Sequence, residues 1–305
     1  MERTLPPASG MARPLRILFP GACYHVMSRG NARAAVFLDQ RDYERFLEQL
    51  DVSFRRYGVV CYAFCLMPNH YHLVVVTPHA NLSVAIKHLN GSYSQWWNFR
   101  HGRCGHVFQG RFKAQVVQRD RYLAAVCRYV VLNPVRAGLA SHPRAWRWSS
   151  YRASAGIEPP PGFMDPSGIH GLLDADSRIS PTLAYRLFVA SSDDHQRPEI
   201  GPLIRSDDRF LGDESFLAGE RAIAARRADG VFARRETRRP APSLSELFDS
   251  SLLKKDRNRQ IRRASEEFGY PIISIASHLG LHPVSVGRIL RVYRRAQCRS
   301  WIEGP

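Results

Sequence analysis

Two histidines separated by one residue are the most informative pair of side chains in the sequence. His70 and His72 lie in the run MPNHYHLVV, whose β-branched and aromatic residues predict a strand. Successive side chains of a strand point to opposite faces, so both imidazoles share one face, about 7 Å apart along the strand. Neutral imidazole nitrogens so placed can converge on one metal ion. For such a pair alone, two packed or exposed strand histidines are the simpler interpretation.

A tyrosine further along the chain is the second chemical candidate. Tyr129 and Asn133 are four residues apart in the run CRYVVLNPVRAGL, so they lie on one helix face. A phenolic oxygen can attack a phosphorus atom and carry a covalent phosphodiester, and an amide carbonyl is a suitable hard ligand for Mg²⁺ or Mn²⁺. Tyr122 shares roughly the same face and is a rival nucleophile. Core packing is the alternative role for either tyrosine, and His25 and His106 are expected to be structural.

These side chains need a sheet and a helix to bring them together. Periodicity predicts an α+β domain with the order β-α-β-β-α-β and one further helix, which is the ferredoxin-like, split βαβ pattern. Its antiparallel sheet would carry helices on one face and leave the other for a ligand or a further helix. Asn133-Pro134 is expected to end the last helix. The predicted strands are residues 22–29, 59–67, 70–77 and 107–117, and the predicted helices are 39–57, 82–99 and 121–132.

Four runs, taken together, resemble the REP-associated tyrosine transposases, a branch of the single-tyrosine HUH (IS200-like) transposases. They are MPNHYHLVV, GHVFQGRFKA, RYVVLNPVRAGL and WSSYRA, spread over roughly residues 14–155. The resemblance implies a ferredoxin-like HUH nuclease core in which His70 and His72 hold one divalent cation, Mg²⁺ or Mn²⁺. It also implies that Tyr129 attacks single-stranded DNA and becomes linked to the 5′ phosphate. Asn133 stands where related insertion-sequence transposases have a glutamine as third metal ligand.

The charge of the chain favours a polyanionic partner. Lys and Arg number 44 against 27 Asp and Glu among 305 residues, a formal net charge of +17. Eleven basic residues and one acid lie between residues 100 and 152, and eleven basic residues and four acids lie between 251 and 305. Nucleic acid is the leading partner for two such regions. The proposed backbone contacts of the first region are Arg111, Lys113, Arg128 and Arg136.

Several classes of protein are disfavoured. No apolar run approaches the roughly 18 residues of a membrane span, and the N-terminal residues lack the apolar core of a signal peptide, so we expect a cytoplasmic protein without a membrane partner. No GxxxxGK[ST] pattern is present, so no nucleotide cofactor is expected. The six cysteines are scattered without the spacing of a disulfide framework or a zinc site.

The C-terminal region has the pattern of a helix-turn-helix. Ala276, Gly280 and Val286 have the spacing of the small residue, the turn glycine and the buried residue of the second helix. A plain helical hairpin without a DNA role is the alternative. With the basic run 254–263, the pattern predicts recognition of a folded DNA element such as a hairpin stem. The second helix would offer Ser285, Arg288 and Arg291 to a major groove.

The sequence therefore predicts a metal-dependent transposase that nicks and rejoins single-stranded or hairpin DNA through a 5′-phosphotyrosine, acting as a monomer or homodimer. One alternative is a non-catalytic DNA-binding regulator that keeps the fold. Others are a replication or conjugation initiator of the same nuclease superfamily and an RNA-binding sheet. The predicted domains are a disordered tail (1–13), an HUH tyrosine transposase domain (14–155), a linker with short helices (156–243) and a helix-turn-helix-like DNA-binding domain (244–305).

Overall fold

The structure of the chain is a computed structural model. The predicted tail 1–13 and Arg291 lie outside the residues that the structure describes. No helix among the described residues is both long and apolar enough to cross a bilayer. The described residues are 16–173, 179–191, 200–205, 209–216, 218, 242–248, 254–268 and 270–290.

A five-stranded sheet with the order β2-β3-β1-β4-β5 forms the centre of the first domain. The first four strands pair antiparallel in the order expected for a ferredoxin-like fold, and β5 adds to β4 in parallel. The predicted α+β fold class is therefore confirmed. The strands are β1 Ala22–Arg29, β2 Val60–Met67, β3 His70–Thr77, β4 Lys113–Val117 and β5 Phe210–Leu211.

Two long helices, α1 (Gln40–Tyr57) and α2 (Leu82–His101), cover one face of the sheet. Helix α1 begins at Asp39, whose carboxylate accepts a hydrogen bond from the Asp42 amide, and it ends at Gly58 in the left-handed conformation (φ 66°). Both helix limits agree with the sequence prediction. Apolar side chains of the two helices and of alternate strand residues form one core, which includes Phe46, Leu50, Tyr71, Leu73, Val75, Ile86 and Leu89.

The opposite face of the sheet is covered by α3 (Arg119–Arg136) and by helices that follow it in sequence. The sequence prediction left this face for a ligand or a further helix, and in the structure a further helix covers it. The later helices are α4 (Tyr151–Ser154), α5 (Ser167–Leu173), α6 (Pro181–Ala190) and α7 (Ile200–Arg205). Together they bury a second core that includes Val74, Leu123, Val126, Val130, Ile169, Tyr185 and Ile204.

The strand predicted at residues 107–117 is wrong in its first half, because β4 begins only at Lys113. Gly105 and Gly110 adopt positive φ angles of 90° and 60°, which turn the chain away from an extended course. The apolar side chains of Val107, Phe108 and Phe112 are buried against the first core although they lie on a loop. The apolar pattern of this stretch therefore reflects loop packing and not a strand.

The predicted end of the third helix at Asn133-Pro134 is also wrong, since α3 continues to Arg136. Pro134 has no backbone N–H and cannot donate to the carbonyl of Val130, one turn earlier. The side-chain amide of Asn133 supplies the missing donor. Its Nδ2 donates to the carbonyl oxygens of Val130 at 3.3 Å and of Tyr129 at 3.0 Å.

The Gly- and Pro-rich run near residues 154–171, predicted to be a linker, is packed against the sheet. The Cys61 amide donates to the Phe163 carbonyl at 3.1 Å, and the Asp165 amide donates to the Cys61 carbonyl at 2.9 Å. A Cβ added at Gly168 would lie 2.3 Å from the ring of Tyr62. The small residues of this run therefore permit a close approach to β2, and packing shows no boundary at residue 155.

The C-terminal described residues form a small core of their own. Helices occur at Lys254–Glu266, Ile272–His278 and 283–290, and Gly280 forms the turn between the last two with a φ of 62°. Ala276 and Val286 are buried as the sequence pattern predicted. The other buried side chains of this core are Leu247, Phe248, Ile261, Ala264, Ile275 and Leu290.

Candidate active site

Three histidines lie together on the face of the sheet that α3 covers. In the antiparallel register of β1 and β3, Arg29 is opposite His70 and Met27 is opposite His72, so His25 shares their face. The ring centroids of His70 and His72 are 5.0 Å apart, and those of His25 and His72 are 5.1 Å apart. The predicted common face of His70 and His72 is present in the sheet.

Tyr129 lies on α3 directly across from these imidazoles. Its ring centroid is 6.1 Å from that of His72 and 6.5 Å from that of His25, edge-on in both cases. The guanidinium of Arg136 lies 4.7 Å from the centre of the Tyr129 ring, and its Nη1 donates to the Tyr129 carbonyl. The rival Tyr122 is buried in the second core. Tyr129 is therefore the α3 tyrosine that contacts the histidines.

The Nδ1 atom of each β3 histidine has a hydrogen-bond partner. His70 Nδ1 lies 2.6 Å from Asn69 Oδ1, and His72 Nδ1 lies 2.9 Å from His25 Nε2. His25 in turn bonds through Nδ1 to Gln115 Oε1 at 3.3 Å. Within the described residues, Nε2 of His70 and of His72 has no hydrogen-bond partner, so both atoms remain able to bind a ligand.

Burial keeps all three imidazoles neutral. It lowers the pKa of His25 to about 4. It lowers the pKa of His70 to about 4 as well, with a further contribution from the positive charge of Arg29. The pKa of His72 is also lowered well below its ordinary value, chiefly by burial and then by His25, His70 and Arg29. At neutral pH no proton therefore competes with a metal ion for these nitrogens.

This donor set fits a divalent cation. Two neutral imidazoles suit Mn²⁺ and tolerate Mg²⁺, and an amide oxygen is a hard ligand for either. Because Asn133 uses Nδ2 to bond α3 carbonyls, its Oδ1 is turned away from them. Among the described residues no cluster of three or more His, Cys, Asp or Glu side chains is placed to hold a metal, so oxygen ligands of other kinds would have to complete the set.

The proposed DNA contacts differ in their surroundings. Arg111 and Lys113 are exposed on either side of the buried Phe112, as alternation predicts, and Arg136 is exposed beside Tyr129. Arg128 has structural partners, because its guanidinium donates to the Ser191 carbonyl after α6. It also lies 5.8 Å from the centre of the Phe188 ring. On the C-terminal helix, Ser285 and Arg288 are exposed.

Sequence reasoning missed three residues of this site: His25, Arg29 and Gln115. His25 was expected to be structural but contacts both His72 and Tyr129. Arg29 is half-buried opposite His70, and its buried Nε has no hydrogen-bond partner among the described residues. Alternation along β1 places His25 and Arg29 on one face, but only the pairing of β1 with β3 shows that this face holds the histidine pair.

Part of the chain is similar to known proteins. Residues 20–133 match the family model of IS200-like transposases, a range that includes His70, His72, Tyr129 and Asn133. The chain is 26% identical over 107 residues to a Haemophilus influenzae protein described as a REP-associated tyrosine transposase. That match covers 32% of this chain and 61% of the relative, so the chain spans less than two thirds of the relative's length.

A solved structure of a REP-associated tyrosine transposase bound to a REP hairpin is also similar. It has a TM-score of 0.41 and 18% identity, and the match covers 56% of this chain and 99% of that chain. The class of protein that residues 20–133 resemble is that of the IS200-like transposases. The predicted resemblance to the REP-associated tyrosine transposases is confirmed over this part of the chain.

Proposed function

We propose that the protein is a metal-dependent DNA strand transferase that nicks and rejoins single-stranded DNA through a 5′-phosphotyrosine. The observation that carries this proposal is the position of Tyr129, whose ring lies 6.1 Å from that of His72. A phenol beside two imidazoles that could hold a divalent cation is suited to phosphodiester transfer to tyrosine. The family match of residues 20–133 supports the same class of reaction.

In the proposed reaction, the Tyr129 oxygen attacks the scissile phosphorus and loses its proton. The new O–P bond forms as the bond from phosphorus to the 3′ oxygen breaks, and that oxygen leaves as a 3′ hydroxyl after taking up a proton. The phosphotyrosine retains the phosphodiester, so a 3′ hydroxyl of another strand can attack it, release Tyr129 and rejoin DNA. No nucleotide hydrolysis is needed.

His70, His72 and Asn133 would hold the divalent cation, Mg²⁺ or Mn²⁺. When bound, such an ion polarises the phosphate and stabilises the charge that develops on it. His25 orients His72 through its hydrogen bond. The half-buried Arg29, opposite His70, adds a fixed positive charge that favours a phosphate at this place.

Single-stranded or hairpin DNA is the proposed substrate, which the protein would meet in the cytoplasm. The exposed Arg111, Lys113 and Arg136 are proposed to bind backbone phosphates. The C-terminal helices are proposed to recognise a hairpin stem through Ser285 and Arg288. The name of the Haemophilus influenzae relative, which associates that protein with REP elements, supports elements of this class as the source of the DNA.

The test is covalent capture of DNA. We expect the full chain, incubated with Mn²⁺ and labelled single-stranded oligonucleotides from repeats that flank its gene, to form an adduct that survives denaturing electrophoresis. Tyr129→Phe should abolish the adduct, chelation of the metal should prevent it, and the matched variant Tyr122→Phe should retain it. DNA binding without any adduct in the wild type would refute the proposal and leave the non-catalytic regulator.

A further inference from the structure

The amide of Asn69, in the turn between β2 and β3, has only one orientation that satisfies both of its neighbours. Its Nδ2 lies 3.1 Å from the carbonyl oxygen of Arg33, which can only accept a hydrogen bond. The NH₂ group must therefore face Arg33, and Oδ1 must face His70 Nδ1 at 2.6 Å. Because an amide oxygen carries no proton, the proton of this bond belongs to His70 Nδ1.

The side-chain amide of Gln115 fixes the proton position of His72 in the same way, but it acts through the ring of His25, which lies between them. Gln115 Nε2 donates to the carbonyl of Leu203 at 3.1 Å, so Gln115 Oε1 faces His25 and accepts from its Nδ1. Neutral His25 then has a bare Nε2. That atom lies 2.9 Å from His72 Nδ1, which must supply the proton between them. The chain of bonds thus ends with the proton of His72 on Nδ1.

We propose that Asn69 and Gln115 are positioning residues that fix His70 and His72 as Nδ1–H tautomers, so that both Nε2 lone pairs are presented to one divalent cation. The single N–H proton of each imidazole stays on Nδ1, because it is donated to Asn69 Oδ1 by His70 and to the bare Nε2 of His25 by His72. The ligating Nε2 of each ring therefore stays deprotonated. The role of the cation rests on the proposed function, whereas the tautomers are a property of the metal-free protein.

This assignment also gives α7 a part in the site. Leu203 follows Tyr129 by more than seventy residues and lies outside the range that matches the transposase family. Its carbonyl is the acceptor that orients Gln115, so a backbone group of the later chain determines the tautomer of a metal ligand on β3. The Gln115 amide bridges β4 and α7, where the second core closes over the sheet.

The direct test is long-range ¹H–¹⁵N correlation spectroscopy of the metal-free full chain at pH 7.5. We expect His70 and His72 to show protonated Nδ1 and unprotonated Nε2. The near-isosteric variants Asn69→Leu and Gln115→Leu remove the accepting oxygen, and we expect each to shift its histidine toward a mixture of tautomers. Protonated Nε2 on either histidine of the wild type would overturn the proposal.

Metal affinity provides an independent readout without DNA. We expect each leucine variant to weaken Mn²⁺ binding by about 10-fold, the lower end of the effect of such supporting residues, as measured by calorimetry or electron paramagnetic resonance. Asn69→Asp and Gln115→Glu keep an accepting oxygen but lose the NH₂ group that donates to the Arg33 or Leu203 carbonyl, so each should bind Mn²⁺ more tightly than the matching leucine variant. They also serve as controls for folding, together with thermal unfolding of all four variants.

The possible outcomes separate this inference from the proposed function. Leucine variants that fold and bind Mn²⁺ with unchanged affinity would overturn the positioning role. Expected tautomers and affinities together with no covalent DNA adduct would support the positioning role and would refute the strand transferase. An adduct formed by a protein whose histidines carry protonated Nε2 would support the strand transferase and would overturn the positioning role.

Discussion

Three imidazoles pack together, with the ring of His72 about 5 Å from each of the other two, and burial favours their neutral forms. Two or three charged rings at this spacing would repel one another strongly in a buried place. The ring stacking of His25 on His72 and the bond between Nε2 and Nδ1 both require at least one uncharged partner. Neutral imidazoles are also what the proposed divalent cation would need as ligands.

The lowered histidine pKa values predict how stability depends on pH. An unfolded histidine has a pKa of about 6.5, whereas His25 and His70 have values of about 4 in the folded chain. Between these values the unfolded chain binds more protons, so the free energy of unfolding of the metal-free protein should fall as pH decreases from about 6.5 to about 4. Above pH 7 these groups should have little effect.

Urea denaturation at pH 7.5, 5.5 and 4.5 measures this dependence. The matched variant His25→Phe keeps an aromatic ring without a titrating group and should show a shallower loss between pH 6.5 and 4.5. A wild-type stability that stays constant over this interval would contradict neutral, buried histidines.

Arg29 yields a second prediction at the level of single residues. In the Tyr129→Phe background, we expect Arg29→Met to weaken binding of single-stranded DNA by about 10-fold, the value of one lost hydrogen bond to a charged group. Arg41→Met removes an equal charge from α1, which packs on the other face of the sheet, and should have a much smaller effect. Fluorescence anisotropy at fixed salt measures both. Equal losses in the two variants would indicate only a general effect of charge.

At the residue level, the sequence allowed a correct prediction where the argument was local. Alternation along one strand placed His70 and His72 on a common face, with Tyr71 in the opposite core. His25 and Gln115 could not be found in this way, because their approach to His72 depends on the register between β1, β3 and β4. Register is set by pairing between distant segments and leaves no mark in the short runs of sequence that contain these residues.

At the level of elements, α3 shows how a helix passes through a proline. Asn133 compensates for the missing backbone N–H of Pro134, and the same side chain is the proposed third metal ligand. Its Nδ2 thus stabilises the helix, whereas its Oδ1 is the proposed ligand atom. The rule that helices end before Asn-Pro failed here because a neighbouring side chain supplied what the proline lacks.

These two roles of Asn133 can be separated by a pair of variants. Asn133→Leu should lower the free energy of unfolding by about 1 kcal/mol, because the Val130 carbonyl loses its donor, and should also weaken Mn²⁺ binding. Adding Pro134→Ala restores a backbone N–H for that carbonyl, so stability should recover while Mn²⁺ affinity stays low. Urea denaturation and calorimetry give the two quantities. If affinity recovers with stability, Asn133 is not a ligand.

Helix and strand limits were predictable where capping residues fix them, as at Asp39 and Gly58 of α1. They were not predictable at residues 107–112, where apolar side chains of a loop imitate a buried strand. Apolar pattern reports burial, and burial is shared by strands and by loops that cross a core. The positive φ angles of Gly105 and Gly110 carry the missing information, but glycine alone does not reveal the sign of its φ angle.

At the level of the whole molecule, the C-terminal helices have their own core, and Arg259 and Arg288 are exposed on them. In the full chain, we expect the double variant Ser285→Ala, Arg288→Ala to weaken binding of a hairpin about 10-fold or more, at about 1–3 kcal/mol for each lost base contact. Adduct formation on a short unstructured oligonucleotide should be unchanged. Arg259→Ala removes one exposed positive charge from the neighbouring helix and is the matched control. Unchanged hairpin affinity in the double variant would exclude this helix from recognition.

The order of elements was enough to predict the ferredoxin-like sheet, since few topologies accommodate β-α-β-β-α-β. The extent of the first domain was not predictable, because Gly and Pro favour both flexible linkers and close packing. Gly168 is closely packed against the sheet, and residues beyond 155 complete the second core. Close packing at Gly168 depends on the ring of Tyr62, which lies far away in sequence, so the local sequence does not distinguish a packed segment from a flexible linker.

The bond between Gln115 and the Leu203 carbonyl has an evolutionary consequence. The side chain at position 203 can change, provided that the peptide oxygen of that residue keeps its place beside β4. Such a requirement leaves no conserved residue in an alignment, because every amino acid has a backbone carbonyl oxygen whatever its side chain. Relatives that lost α7 should therefore show compensation at the residue equivalent to Gln115, and ancestral reconstruction across that loss would reveal which change came first.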